Sequence, residues 1–188
     1  MECKFRPIPT IPVLVALAVA GCSVLPISAD DGPKLLPAVK SLAVPFERQN
    51  SANQCGLACV DMLTRFYYKP LSAAEQDGLR EEAGTADGIS GASLKAALEE
   101  AGYFVVVFPG TLSHLDSGLY HQVDMGRPSL VMTGAGPRHY CVVVGYDENE
   151  DTVTLLDPAL GPRTLAAPDF LRIWKQANKF MLLALPDR

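Results

Sequence analysis

The feature that most constrains the fold is a two-residue apolar period running from His139 to Tyr146. There Tyr140, Val142, Val144 and Tyr146 alternate with His139, Cys141, Val143 and Gly145. Alternation of this kind requires a strand whose two faces meet different surroundings. Asp147 to Asp151 supplies a turn, Thr152 to Leu156 returns as a partner, Pro158 to Pro162 turns again, and Arg163 to Leu165 extends the meander. Ser129 to Thr133 and Phe180 to Leu185 read as further strands, and Phe104 to Phe108 as a buried one. Helical spacing lies mainly upstream. Cys59, Val60, Leu63, Phe66 and Tyr67 predict a first helix capped by Asn53, and Ser72-Ala73-Ala74-Glu75 is a capping box opening a second. Leu94, Ala97, Leu98 and Ala101 mark a third helix closed by Gly102. Leu112, Leu115, Leu119 and Val123 suggest a fourth before Gly126, and Asp169 to Gln176 a short fifth with Trp174 in the core. Helices first and strands late give an α+β class with a mostly antiparallel sheet.

The chain has 188 residues and a formal charge of −5, with no basic surplus for neutralising phosphates, so nucleic acid is excluded as a partner. No G-x-x-x-x-G-K-[ST] loop is present, so nucleotide is excluded with it. Lys4 and Arg6 precede an apolar run, Ile11 to Ala20, that is too short to span a bilayer and reads as a secretory signal over 1–21. Its end, Val19-Ala20-Gly21-Cys22, resembles the lipobox of bacterial lipoproteins, in which the cysteine receives the lipid. With Ser23 next, the resemblance implies an outer-membrane lipoprotein facing the periplasm. Residues 22–42, punctuated by Pro26, Pro33 and Pro37, read as a lipidated cysteine followed by a flexible tether, and 43–188 as one folded domain.

Five cysteines are present; cleavage removes Cys3 and lipidation occupies Cys22, leaving Cys55, Cys59 and Cys141. An odd number in an oxidising compartment leaves a free thiol to be explained. Cys55 falls in the first turn of the first predicted helix, where unpaired backbone N–H groups and the helix dipole favour thiolate. Gly56 beside it permits close approach of another backbone or a substrate. His139 opens one strand and Asp157 ends its antiparallel neighbour, so the two ends lie side by side. A carboxylate there can hold the imidazole in one tautomer while the other ring nitrogen faces the thiol, the logic of a Cys-His-Asp triad.

Three segments carry a resemblance. Gln49 through Cys59 (QNSANQCGLAC), His139 through Tyr146 (HYCVVVGY), and Leu156-Asp157-Pro158-Ala159 with Gly161 resemble, in order and spacing, the bacteriocin-processing, double-glycine peptidase family of papain-like cysteine peptidases. The resemblance implies a papain-like fold with N-terminal helices packed on the sheet. It implies Cys55 as nucleophile, His139 as base and acid, Asp157 as its orienting partner, and Gln49 as an oxyanion donor assisted by the Cys55 N–H. The reaction implied is hydrolysis of a peptide or protein substrate through a thioester, without metal or cofactor. Familiar members are fused to a transporter and cut leader peptides after paired glycines. This sequence shows no long transmembrane array, so the resemblance carries the chemistry and not the leader specificity. An acyl or peptidyl transferase using the same triad, and a catalytically inactive peptide-binding envelope module, are the alternatives.

The remaining polar features read more plainly. Cys59 and Cys141 are expected to pack as small buried hydrophobes rather than to pair. His114 and His121, seven apart on the predicted fourth helix, lack a third metal ligand and are expected in solvent. Gly134-Ala135-Gly136 reads as the loop delivering His139, and the acidic run 147–151 as a hairpin tip.

Overall fold

The computed structural model describes residues 38–85, 88–134 and 139–187. The signal segment, Cys22 and the tether as far as residue 37 lie outside the described residues, as do Ala135 and Gly136. In chain order the elements are β1 (Val39–Ser41), α1 (Cys55–Phe66), α2 (Ala73–Ala83), α3 (Gly91–Glu100), β2 (Tyr103–Pro109), α4 (Leu119–Asp124), β3 (Ser129–Thr133), β4 (His139–Asp147), β5 (Thr152–Asp157), β6 (Gly161–Ala166), α5 (Ala167–Lys175) and β7 (Phe180–Pro186). The strands form one seven-stranded sheet in which six follow the order β2-β7-β3-β4-β5-β6 and β1 pairs with β4 off that path, with every strand pairing antiparallel. This is the α+β class expected from the sequence.

The sheet is covered on both faces. Tyr140, Val142 and Val144 of β4 pack with α1 and α3 around Leu63, Leu94 and Leu98, while Cys141 and Val143 pack with α4 and α5 around Val123, Phe170 and Trp174. Tyr146, expected to share a face with Tyr140, lies with the second group. The cause is a register shift between Val143 and Gly145 in the β4–β5 pairing, which turns the strand over.

β1 lies inside the segment read as tether. Its three residues pair with Gly145 to Asp147, extending the edge of β4 that β3 covers from His139 to Val143. A Cβ on Gly145 would stand 2.7 Å from the Lys40 carbonyl oxygen, so glycine is what lets β1 close on β4.

Two helix N-termini, those of α2 and α3, are capped by local side chains. In α2 the Ser72 N–H donates to the Glu75 carboxylate at 2.5 Å and Ser72 Oγ accepts from the Glu75 N–H, the capping box read from the sequence. α3 is capped by Ser90, and Gly102 beyond its end takes a φ of +77°. Asn53 does not cap α1: its amide donates to the Thr85 carbonyl at 2.8 Å, and Gln54 occupies the cap without a side-chain bond. β2 is an edge strand, with Phe104 61% exposed where a buried strand was expected. Trp174 is fully buried and donates its indole N–H to the Phe180 carbonyl.

Candidate active site

α1 and the β4–β5 pair bring the three expected residues together. Cys55 is the first residue of α1, His139 the first of β4, and Asp157 the last of β5. Val142 pairs with Leu156, so the start of β4 and the end of β5 meet at one end of the sheet. His139 Nε2 lies 3.0 Å from Asp157 Oδ1, and the ring is also hydrogen-bonded to the Cys55 thiol. With Nε2 committed to the carboxylate, Nδ1 is the nitrogen left for sulfur.

Asp157 is held from several sides. Its Oδ1 also accepts the N–H groups of Ala159 and Leu160 at 2.9 and 3.1 Å, and Arg163 approaches Oδ2 at 3.4 Å. The carboxylate closes the turn between β5 and β6, where Gly161 adopts a φ of +97°. Burial raises the pKa of this 1%-exposed group, but the His139 and backbone hydrogen bonds outweigh it and hold the carboxyl down at about 2.

His139 moves the other way, far above the usual imidazole range, chiefly through its bond to Asp157 and then through bonds to the Cys141 and Cys55 thiols. Burial pushes the Cys55 thiol up, yet the His139 bond and the backbone N–H groups of Tyr140 and Gly56 bring it below its ordinary value of 9.0. Both shifts favour the thiolate and imidazolium form of the pair, the form suited to nucleophilic attack.

Gln49 is brought to the neighbourhood of Asp157. Its backbone N–H donates to the Pro158 carbonyl at 3.1 Å, and the adjacent Arg48 guanidinium donates to the Ala159 carbonyl at 2.8 Å. Its side-chain Nε2 donates to the carbonyls of Ser51 and Ala52 at 2.8 and 3.1 Å, which uses both amide hydrogens. Cys22 lies outside the described residues.

Two contacts were not read from the sequence. Cys141, expected only to pack, also bonds His139; it is 1% exposed, and burial raises its thiol. Arg163 reaches Asp157 across the hairpin, and an arginine six residues after the aspartate on a return strand is the signal that could have found it. Cys55, Cys59 and Cys141 are all buried and none is in a disulfide, so Cys59 and Cys141 do not pair. The nitrogen of His139, the sulfur of Cys141 and an oxygen of Asp157 lie within 4.8 Å of one another, a set with metal-ligand chemistry.

The other histidines do not share a helix. His114 precedes α4 and bridges Asp124 at 2.7 Å and Glu148 at 3.2 Å, and His121 Nε2 lies 3.8 Å from Asp116. Both are partly buried rather than in open solvent.

The profile of the Peptidase C39 family matches residues 43–186, which contain all of this constellation. The chain belongs to the peptidase C39 family. As a C39 protein it is a cysteine peptidase, and the solved structures similar to it agree in fold. One is a double-glycine-motif protease from an AMS/PCAT transporter in complex with the leader peptide; it is 19% identical, with a TM-score of 0.62 over 79% of this chain and 95% of that one. The peptidase domain of Streptococcus ComA, a bifunctional ABC transporter, is 18% identical with a TM-score of 0.61 over 76% and 98%. A C39-like protein from Bacillus anthracis is 16% identical with a TM-score of 0.62 over 79% and 98%. No curated protein matches the chain.

Proposed function

We propose that this C39 peptidase hydrolyses peptide bonds through Cys55, His139 and Asp157 while held at the bacterial outer membrane, facing the periplasm, by lipid on Cys22. The observation that carries the chemistry is His139, bonded through Nε2 to buried Asp157 and also to the Cys55 thiol. The thiolate attacks the scissile carbonyl, and the negative charge develops on its oxygen. The Cys55 N–H, in the first turn of α1, is one donor for that charge. Gln49 is the second. Its place at the Asp157 turn supports this, and its amide would exchange the Ser51 and Ala52 carbonyls for the oxyanion as substrate binds. Such a donor is typically worth about 3 to 4 kcal/mol in the transition state. The imidazolium then protonates the leaving amine at Nδ1, and water, deprotonated by the same nitrogen, hydrolyses the thioester.

A peptide substrate is supported by family membership and by the leader peptide bound to one protein of the same fold. The lipid anchor rests on Val19-Ala20-Gly21-Cys22 after the apolar run. The test is to incubate the purified protein and its Cys55→Ala variant with bacterial envelope proteins and map new N-termini by mass spectrometry. New termini that require Cys55 are expected; identical patterns from the two proteins would reject hydrolysis at this site.

A further inference from the structure

The acidic run 147–151 takes no part in the chemistry above, yet two of its residues wall a cavity of about 380 Å³. Glu148 and Asp151 line it from the β4–β5 turn, Tyr120 from α4, and Leu112, Pro168 and Leu171 supply apolar surface. Tyr120, Leu112 and Leu171 belong to the α4–α5 face of the sheet, whereas Cys55 belongs to the α1 face. We propose that this cavity binds a primary alkylammonium group, the chemistry of a lysine side chain or of a free alkyl amine.

Tyr120 is 8% exposed, and its hydroxyl has no hydrogen bond to any described residue. A hydroxyl so placed on a cavity wall is satisfied only by what enters the cavity. Burial, and then the charges of Asp151 and Glu148, push its pKa up from the ordinary 10.0, so the phenol keeps its proton and presents oxygen lone pairs beside both carboxylates. The ring is held by stacking on Tyr146, with centroids 4.4 Å apart. The turn that carries the acids is tied down on two sides: the Glu148 N–H donates to the Ala38 carbonyl at 2.8 Å, and the Asp151 carbonyl accepts the Ala167 N–H at 2.8 Å. Two carboxylates and one hydroxyl oxygen match the three N–H donors of an ammonium, which has no acceptor of its own.

The charges point the same way. No Lys or Arg lines the cavity, and Asp151 has no ion-pair partner among the described residues. His114 bonds Glu148 and Asp124, and when protonated it balances one of the three carboxylates there, so the corner stays net negative. α5 begins at the cavity, and Asp169 in its first turn offsets the positive end of that helix. Leu112, Pro168 and Leu171 give an alkyl stem apolar surface to lie on while its charged head reaches the acids. β4 runs from His139 to Asp147, about 25 Å, so the cavity sits at the end of the sheet away from the triad. A ligand held there leaves Cys55 reachable, and in a protein ligand it is a hold remote from the bond being cut.

The test is an NMR titration of the purified protein with Nα-acetyl-lysine methylamide, set against the same compound acetylated at Nζ, which keeps the stem and loses the charge. The lysine probe should shift the backbone resonances of Glu148, Asp151 and Leu171, and the acetylated probe should not. Asp151→Asn and Tyr120→Phe should each weaken binding by at least about 3-fold. Asparagine tolerates the φ of +51° at position 151, and phenylalanine keeps the stack on Tyr146, so both variants retain the cavity wall. Equal binding of the two probes, or wild-type affinity in both variants, would overturn the site. Tighter binding of the lysine probe than of cadaverine would assign the site to a polypeptide ligand, and the reverse order to a free amine. At saturation the lysine probe should leave iodoacetamide labelling of Cys55 at its unliganded rate; protection of Cys55 would place the probe at the triad and overturn the proposal. The titration reads binding alone, so its outcome is independent of whether the protein cleaves peptides.

Discussion

The reactivity of Cys55 depends on a proton held by His139, and two residue substitutions separate the contributions. In His139→Ala the thiol keeps its burial, which raises its pKa, and loses the largest interaction that lowers it. The pH profile of iodoacetamide labelling should therefore have its midpoint below 9.0 in the wild type and above that value in His139→Ala; coincident profiles would show that the helix terminus alone activates the thiol. Asp157 gives the second prediction. Its folded pKa, about 2, lies below the ordinary 3.8, so it contributes stability that is fully present above the ordinary value and is lost as pH falls through about 2. Two units correspond to about 2 to 3 kcal/mol. Urea unfolding should show the wild type losing stability of that order between about pH 4 and 2, and Asp157→Asn, already without the charge, should show a flatter acid limb.

At the scale of elements, the loop before α4 shows where tertiary contacts overrode periodicity. Leu112, Leu115, Leu119 and Val123 have helical spacing, yet Leu115 is 71% exposed and the helix begins only at Leu119. The chain folds back so that the Thr111 carbonyl accepts the Leu119 N–H and the Ser113 carbonyl the His121 N–H. A Cβ on Gly118 would fall 1.9 Å from the Ser113 carbonyl oxygen. Gly118→Ala should accordingly cost about 1 to 3 kcal/mol or more, read as a lower Tm. His114 pins this loop to Asp124 of α4 and to Glu148 of the β4–β5 turn. Burial lowers its pKa, but those two hydrogen bonds raise it overall, so its stabilisation is full below about 6.5 and is lost as pH rises through the higher folded value. His114→Gln should remove that slope from a stability-versus-pH series. The same distinction explains what the sequence revealed elsewhere. The α2 capping box and the strand ends bearing His139 and Asp157 depend on residues near one another in the chain or joined by one hairpin, and were legible. The flip of Tyr146 and the exposure of Phe104 depend on a bulge and on sheet order, which no local pattern encodes.

At the scale of the whole molecule, the question is what holds the protein to a membrane. Among the described residues no helix is long and apolar enough to cross one. The chain carries a net charge of −5, so it offers no basic surplus to attract anionic headgroups as a second signal. On the proposed reading, membrane affinity then comes from the lipid on Cys22, whose buried acyl methylenes contribute about 0.8 kcal/mol each. Cys22→Ala should therefore move the protein from the membrane pellet to the soluble envelope fraction, while purified wild-type and variant proteins keep equal rates of Cys55 labelling. High ionic strength should leave the wild type in the pellet, since apolar anchoring is not screened as surface charge is. A Cys22→Ala protein that still sedimented with membranes would reject the lipid anchor. If high salt then released it, the attachment would be electrostatic, made by a local basic patch or a partner despite the net negative charge.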